Sequence, residues 1–224
     1  MKYNEVIYSI REKLREVVDD SNIDDREIIF EVNNQRALFY RNEYNKNSRA
    51  VDEEIKQTLC VSLEEASDDE CCIDSDCTIL RSTIPLPNLL ELHHKNTLLR
   101  VTSTQLGTKP FSLVSWNQFP FSGNSKYNSK EVYVSKHNNG YLYFKSSNRL
   151  HKFLEKVSVQ VILEDPLDIK DFMDCASGTD CFNLDTFNYP IKAHVLAYIT
   201  PQVLKSFAFK LQIPEDLEND AESK

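Results

Sequence analysis

The spacing of apolar residues changes period near residue 58, and that change limits what the chain can fold into. Residues 3 to 18 place Tyr3, Val6, Ile7, Ile10, Leu14, Val17 and Val18 within one sector at a helical turn of about 100° per residue, while Glu5, Glu12, Arg15 and Glu16 point away. Leu59, Val61 and Leu63 then alternate with Cys60, Ser62 and Glu64, which is the period of a strand. A helical part that hands over to a sheet predicts an α+β fold.

Between these regions Asp19, Asp20, Ser21 and Asn22 end the first helix, because their side chains bond their own backbone. Asp24 with Glu27 is a cap-like pair opening a second helix that should run to about Tyr44. Its main stripe is Ile28, Ile29, Val32, Phe39 and Tyr40. Phe30, Ala37 and Tyr44 fall at seven-residue steps on another face, and two apolar faces need two packing partners. Both partners lie within the same fold, or the extra stripe meets a neighbouring subunit.

Further strands are expected at 78 to 84, 98 to 104, 131 to 137, 141 to 146 and 157 to 163, with Pro85 and Pro87 closing the first. The clearest local signal is Glu131 to His137, then Asn138-Asn139-Gly140, then Tyr141 to Phe144: Asn-Gly tolerates the positive φ of a tight hairpin turn. The sheet should be mainly antiparallel and barrel-like. From Tyr189 the chain turns helical again, with Pro190 at a first helical position and Thr200-Pro201 as a cap followed by a restart; Val203, Leu204, Phe207 and Leu211 supply a stripe. One domain is expected over 1–224, made of a helical part (1–57), a β-rich part (58–165), a loop (166–188), C-terminal helices (189–212) and an acidic tail (213–224).

Composition narrows the function classes. The formal net charge is −9, and Lys and Arg do not gather into a basic stripe, so the footprint of a sequence-specific nucleic-acid binder is missing. No stretch approaches the roughly 18 apolar residues of a membrane span, and the N-terminus becomes amphipathic at once instead of forming a secretory signal, so the chain is expected to stay in the cytosol and bind no membrane. Six cysteines are few for a disulfide framework in 224 residues, and reduced thiols are the expectation.

Residues with reactive side chains do not form a recognisable site. Cys71, Cys72 and Cys77 with His93-His94 have metal-ligand chemistry without the paired spacing of zinc ligands. Cys175 and Cys181 enclose a small polar loop. Asp68, Asp69, Glu70, Asp74 and Asp76 lack the register and central Gly of a calcium loop. His137, His151 and His194 have no nucleophile motif nearby, and only four glycines leave no phosphate-binding loop. The expectation is no catalytic residue, no metal and no cofactor.

Several segments together resemble ring-forming head-to-tail connector proteins of crAss-like tailed phages. They are Asp24 to Phe30 and Asn34 to Asn45, Gln57 to Glu64, Ser82 to Pro85, Trp116-Asn117-Gln118-Phe119-Pro120-Phe121, Asn139 to Tyr143, Val157 to Pro166, and Ile213 to Asp216 with Asn219-Asp220. The resemblance implies a non-enzymatic virion protein of the neck, built in the host cytoplasm. It implies a homo-oligomer, a dodecameric ring, whose partners are the portal protein and adjacent ring or tail proteins, with genomic DNA passing through the channel. A ring subunit needs side surfaces for two neighbours, and Phe30, Ala37, Tyr44, Phe111, Trp116, Phe119 and Phe121 are the candidates. A tail, baseplate or head-completion component is the alternative within the particle; a host-directed regulator and a small hydrolase are the alternatives outside it.

Overall fold

The computed structural model describes residues 1–17, 23–46, 51–66, 79–93, 96–104, 109–123, 126–128, 130–172 and 183–211. Val18, the turn Asp19 to Asn22, the acidic stretch 67–78, His94, the Cys175 and Cys181 loop and the tail beyond Leu211 lie outside these residues, and so does the side chain of Val17. Two compact units make up the chain. A helical unit comprises Met1–Arg49 and Asn183–Lys224, and a sheet unit comprises Ala50–Phe182.

In the helical unit α1 (Tyr3–Val17) buries Tyr3, Val6, Ile7, Ile10 and Leu14, the stripe that the sequence predicts. Each fully buried side chain of this size contributes about 1.5–3 kcal/mol. Asp24 opens α2 (Asp25–Lys46): its carbonyl accepts from the backbone of Glu27 and Ile28, and its carboxylate from Arg26 N at 3.4 Å. α2 packs against both α1 and the C-terminal helix, so its buried strip is broad. Ile28, Val32, Arg36, Tyr40 and Tyr44 form a ridge at four-residue steps. Tyr44 stacks on Tyr40 with ring centroids 6.0 Å apart, on the main stripe and not on a separate face.

Arg36 is fully buried in that ridge, where an aliphatic residue would be ordinary. Its Nε donates to the Pro190 carbonyl at 3.0 Å, and its guanidinium lies 5.4 Å from the Tyr40 ring centroid and 5.8 Å from that of Tyr189. The Tyr189 hydroxyl donates to the Asn33 side chain. Residues 187–189 also pair with the chain's start: Tyr3 N donates to Phe187 O at 3.0 Å, and Tyr189 N to Met1 O at 2.8 Å. The C-terminal helix α3 (Ala193–Leu211) corrects one expectation, since it begins after Pro190 and runs unbroken through Pro201. Proline removes one helical donor, here for the carbonyl of exposed Ala197, which water can satisfy; Thr200 instead bonds its hydroxyl to Leu196 O at 2.6 Å within the helix.

Among the described residues the sheet unit has seven strands: β1 (Gln57–Glu65), β2 (Leu80–Ser82), β3 (Leu98–Ser103), β4 (Ser112–Leu113), β5 (Tyr133–Lys136), β6 (Leu142–Lys145) and β7 (Lys156–Val161). Their order is β3-β7-β1-β2-β6-β5-β4, antiparallel except for the β4 and β5 pair. Phe111, just before β4, donates its N–H to Val101 of β3 at 2.8 Å, so the outer strands meet and the sheet is nearly a closed barrel. Leu59, Val61, Leu80, Val101, Val134, Leu142, Phe144, Val157, Val159 and Val161 fill its interior. Leu154 packs on this core from the β6–β7 connection, and Ile169 and Phe172 from the segment after β7. The result is an α+β fold with a near-barrel sheet, as the change of period predicts.

Cys60 corrects a second expectation, because it is disulfide-bonded; every other cysteine lies outside the described residues. Its side chain leaves the barrel interior yet is almost buried. Alkylation of the denatured, unreduced protein should leave Cys60 unmodified and reach it only after reduction; a modified Cys60 peptide before reduction would show a free thiol.

The hairpin uses three residues. Gly140 N donates to His137 O at 3.0 Å, His137 N to Tyr141 O at 3.0 Å, and Gly140 alone takes positive φ, at +86°. A Cβ on Gly140 would also lie 3.1 Å from the Pro85 Cβ. Gly140→Ala should therefore destabilise the protein by about 1–2 kcal/mol in a denaturant titration, from the left-handed backbone plus the contact; an unchanged midpoint would remove this account of the turn.

Candidate assembly surface

Along β6, Leu142 and Phe144 enter the barrel, so Tyr143 points to its outer side with Ile79. In most antiparallel sheets that side faces water. Here the segment from Ser112 to Gly123 folds back over it. Trp116 stacks on Phe119 at 5.4 Å, lies 5.2 Å from Tyr143 and 4.2 Å from His137, measured between ring centroids. Asn139 Nδ2 donates to the Tyr143 hydroxyl at 3.0 Å, and buried Lys145 donates to the Pro120 carbonyl at 2.6 Å. The strands β2, β5 and β6 are thus covered on both sides.

This arrangement sorts the seven candidate interface residues. Phe119 is fully buried, and Tyr44 nearly so; both side chains are used by their own subunit. Phe111 and Trp116 are half-buried, Phe111 edge-on to Phe144 at 6.2 Å, and Ala37 is half-buried on α2. Phe30 and Phe121 project into solvent, 63% and 80% exposed. Phe30, Ala37 and Tyr44 belong to the helical unit, and Phe111, Trp116, Phe119 and Phe121 to the sheet unit. Within the sheet unit Tyr127 and Phe153 are exposed as well, at 93% and 80%, and sequence reasoning passes over both. Their turns are stitched together: the Ser147 hydroxyl donates to Gly123 O, and Ser146 Oγ to Glu131 O at 2.8 Å.

Charge segregates in the same region. Between Arg81 and Lys156 the sequence holds eleven Lys and Arg against only Glu91, Glu131 and Glu155, while the remainder holds fifteen against thirty-two acids. A count over a long window finds this where a search for a basic run does not. Lys109 and Glu131 pair at 2.8 Å, and that hydrogen bond raises the lysine's pKa and lowers the glutamate's. At the hairpin end burial lowers the pKa of Lys136, with Glu91 partly opposing it.

Carboxylates gather instead in the segment that follows β7. Gln57 Nε2 donates to the Pro166 carbonyl at 3.0 Å, which ties the start of β1 to the turn Pro166–Asp171. Asp165 caps that turn, accepting from Leu167 N at 2.9 Å. Burial, with Asp165, Asp171 and Glu164 nearby, raises the Asp168 pKa. Its folded value lies above the unfolded one, so the charged form costs stability above that range, and the cost fades as pH falls through the folded value. Asp168→Asn should raise the melting temperature at pH 7, with the gain shrinking as the wild-type carboxyl protonates; a gain constant with pH would rule out this cause.

Among the described residues no three His, Cys, Asp or Glu side chains group as a metal site, and no helix is long and apolar enough to cross a membrane. Cys71, Cys72, Cys77 and His94 lie outside the described residues, and His93 is exposed.

The family described as phage tail ring protein 2 matches residues 5–223. The chain is also similar to "Ring protein 2" of Bacteroides phage crAss001, with 28% identity over 225 residues, covering 99% of this chain and 96% of that one.

Proposed function

The chain belongs to the phage tail ring protein 2 family, and from that membership we propose that it forms a homo-oligomeric ring in the head-to-tail connector, or neck, below the portal, surrounding the DNA channel and joining capsid to tail. The family is one of structural ring proteins of the virion. The single observation that carries the reading is a family match over almost the whole chain, so that both units fall within it. The portal and adjacent ring or tail proteins are the proposed partners, and twelve-fold copy number is part of the proposal. The virion neck is the proposed location, with assembly in the host cytoplasm.

Physical features support a role without chemistry. A nearly closed barrel presents few unpaired strand edges, which suits a subunit that must pack side by side without adding strands uncontrollably. A net charge of −9 repels phosphates, which suits a channel wall past which DNA slides. The word "tail" in the family's description favours a second reading, in which the ring belongs to the tail proper.

Native mass spectrometry of the full chain with purified portal, together with imaging of virions, tests the proposal. A multi-copy complex on portal and a ring at the neck are expected. Absence from virions would overturn the structural role, and a ring found only along the tail would replace the neck with the second reading.

A further inference from the structure

The C-terminal helix α3 carries apolar residues on both of its sides. Val195, Leu196, Ile199, Val203 and Phe207 are buried within the helical unit, while the opposite face leaves Ala197, Tyr198, Pro201 and Phe209 in solvent, with Tyr198 58% and Phe209 79% exposed. A helix face that meets only water is ordinarily charged, and a helix apolar all round is ordinarily covered all round. Among the described side chains Lys205 brings the outer face its one formal charge. Phe39 of α2 widens that face, half-buried with its ring centroid 5.1 Å from that of Tyr198.

The charge of the chain points to what covers it. α1 and α2 each carry as many Lys and Arg as Asp and Glu, whereas α3 carries Lys205 and Lys210 and no acid. The acids come directly afterwards. Residues 212–224 hold Glu215, Asp216, Glu218, Asp220 and Glu222 against Lys224, with Ile213 and Leu217 as apolar members. Carboxylates just past a helix C-terminus are repelled by the carbonyls there, so this tail gains by turning back along α3 toward Lys205. Its length allows that, since residues 212–224 reach about 43 Å when extended and the 19-residue helix is about 28 Å long. Tethered to α3, the tail meets that face at an effective concentration on the order of millimolar. The family match runs to residue 223, so the tail belongs to the family together with the helix.

We propose that the acidic tail, residues 212–224, docks on the outer face of its own α3, its carboxylates paired with the helix's lysines and its apolar residues covering Phe209 and Tyr198. The contact lies within one chain, so it stands or falls apart from the ring reading.

Hydroxyl-radical footprinting of the full chain, dilute enough to be monomeric, reads side-chain exposure directly, and Phe153 of the sheet unit is the internal control because its 80% exposure matches the 79% of Phe209. Phe209 should be oxidised at least about threefold more slowly than Phe153, the slowing given by a tail docked about two-thirds of the time. Glu215→Gln with Leu217→Ser and Glu218→Gln should bring Phe209 to the rate of Phe153, and Lys205→Glu should do so from the other side of the contact, with melting temperatures showing that both variants fold. Equal oxidation of Phe209 and Phe153 in the unaltered chain overturns the docking. Slow oxidation of Phe209 that neither variant relieves also overturns it, because something other than the tail then covers the face. Protection that appears only as the protein concentration rises places the tail on another copy and overturns the contact within one chain.

Discussion

The sheet unit depends on one ladder. β1 and β7 pair in continuous antiparallel register from Gln57 opposite Val161 to Ser62 opposite Lys156, joining strands about a hundred residues apart in sequence. Everything between them must therefore close as a loop, and the intervening strands do so by continuing the sheet in both directions. β3 adds beside β7, while β2, β6, β5 and β4 add beside β1. The two growing edges meet where Phe111 bonds Val101. Without the β1–β7 ladder the loop-closure cost of each later pairing would stand alone.

Closure also explains how a segment as polar as Ser112 to Gly123 finds its place. Once β6 lies between β2 and β5, Tyr143 and Ile79 stand on the outer side with no interior left to receive them. Trp116 and Phe119 cover them, and Lys145 anchors the cover through the Pro120 carbonyl. The consequence is positional. Phe119 is consumed by its own subunit, and Phe121, two residues on, is forced outward.

Legibility in the sequence follows the range of the forces involved. The stripe of α1, the strands β1, β2, β3, β5, β6 and β7, and the Gly140 turn are set by neighbours in sequence, and period and turn chemistry reveal them. β4 has only two residues and is held by parallel pairing to β5, so no local period marks it. Buried Arg36 was illegible for the same reason. Its environment is made by Tyr40 and by Tyr189 and Pro190, more than 150 positions away, and a charged residue on a helix ordinarily reads as a solvated face. Pro201 misled because the helix cost of a proline is local, whereas Val203 and Phe207 gain burial on the same continuous helix, and that tertiary packing wins. Of the seven interface candidates, nothing local in the sequence separates exposed Phe30 and Phe121 from buried Tyr44 and Phe119, because burial is decided by tertiary packing. Tyr127 and Phe153 were not legible either, since isolated aromatics between strands also read as core.

A ring imposes a different demand on sequence from a monomer. A two-fold dimer can use one self-complementary patch, but a cyclic assembly must encode two unlike patches on one chain, and neither can be complementary to itself. Charge is a direct way to write that distinction, because like faces repel as strongly as unlike faces attract, which excludes the wrong pairing as well as favouring the right one. Lys and Arg concentrate between Arg81 and Lys156 in an otherwise acidic chain, and some of them serve the fold itself, since Lys145 holds the Pro120 carbonyl and Arg81 pairs with Glu64.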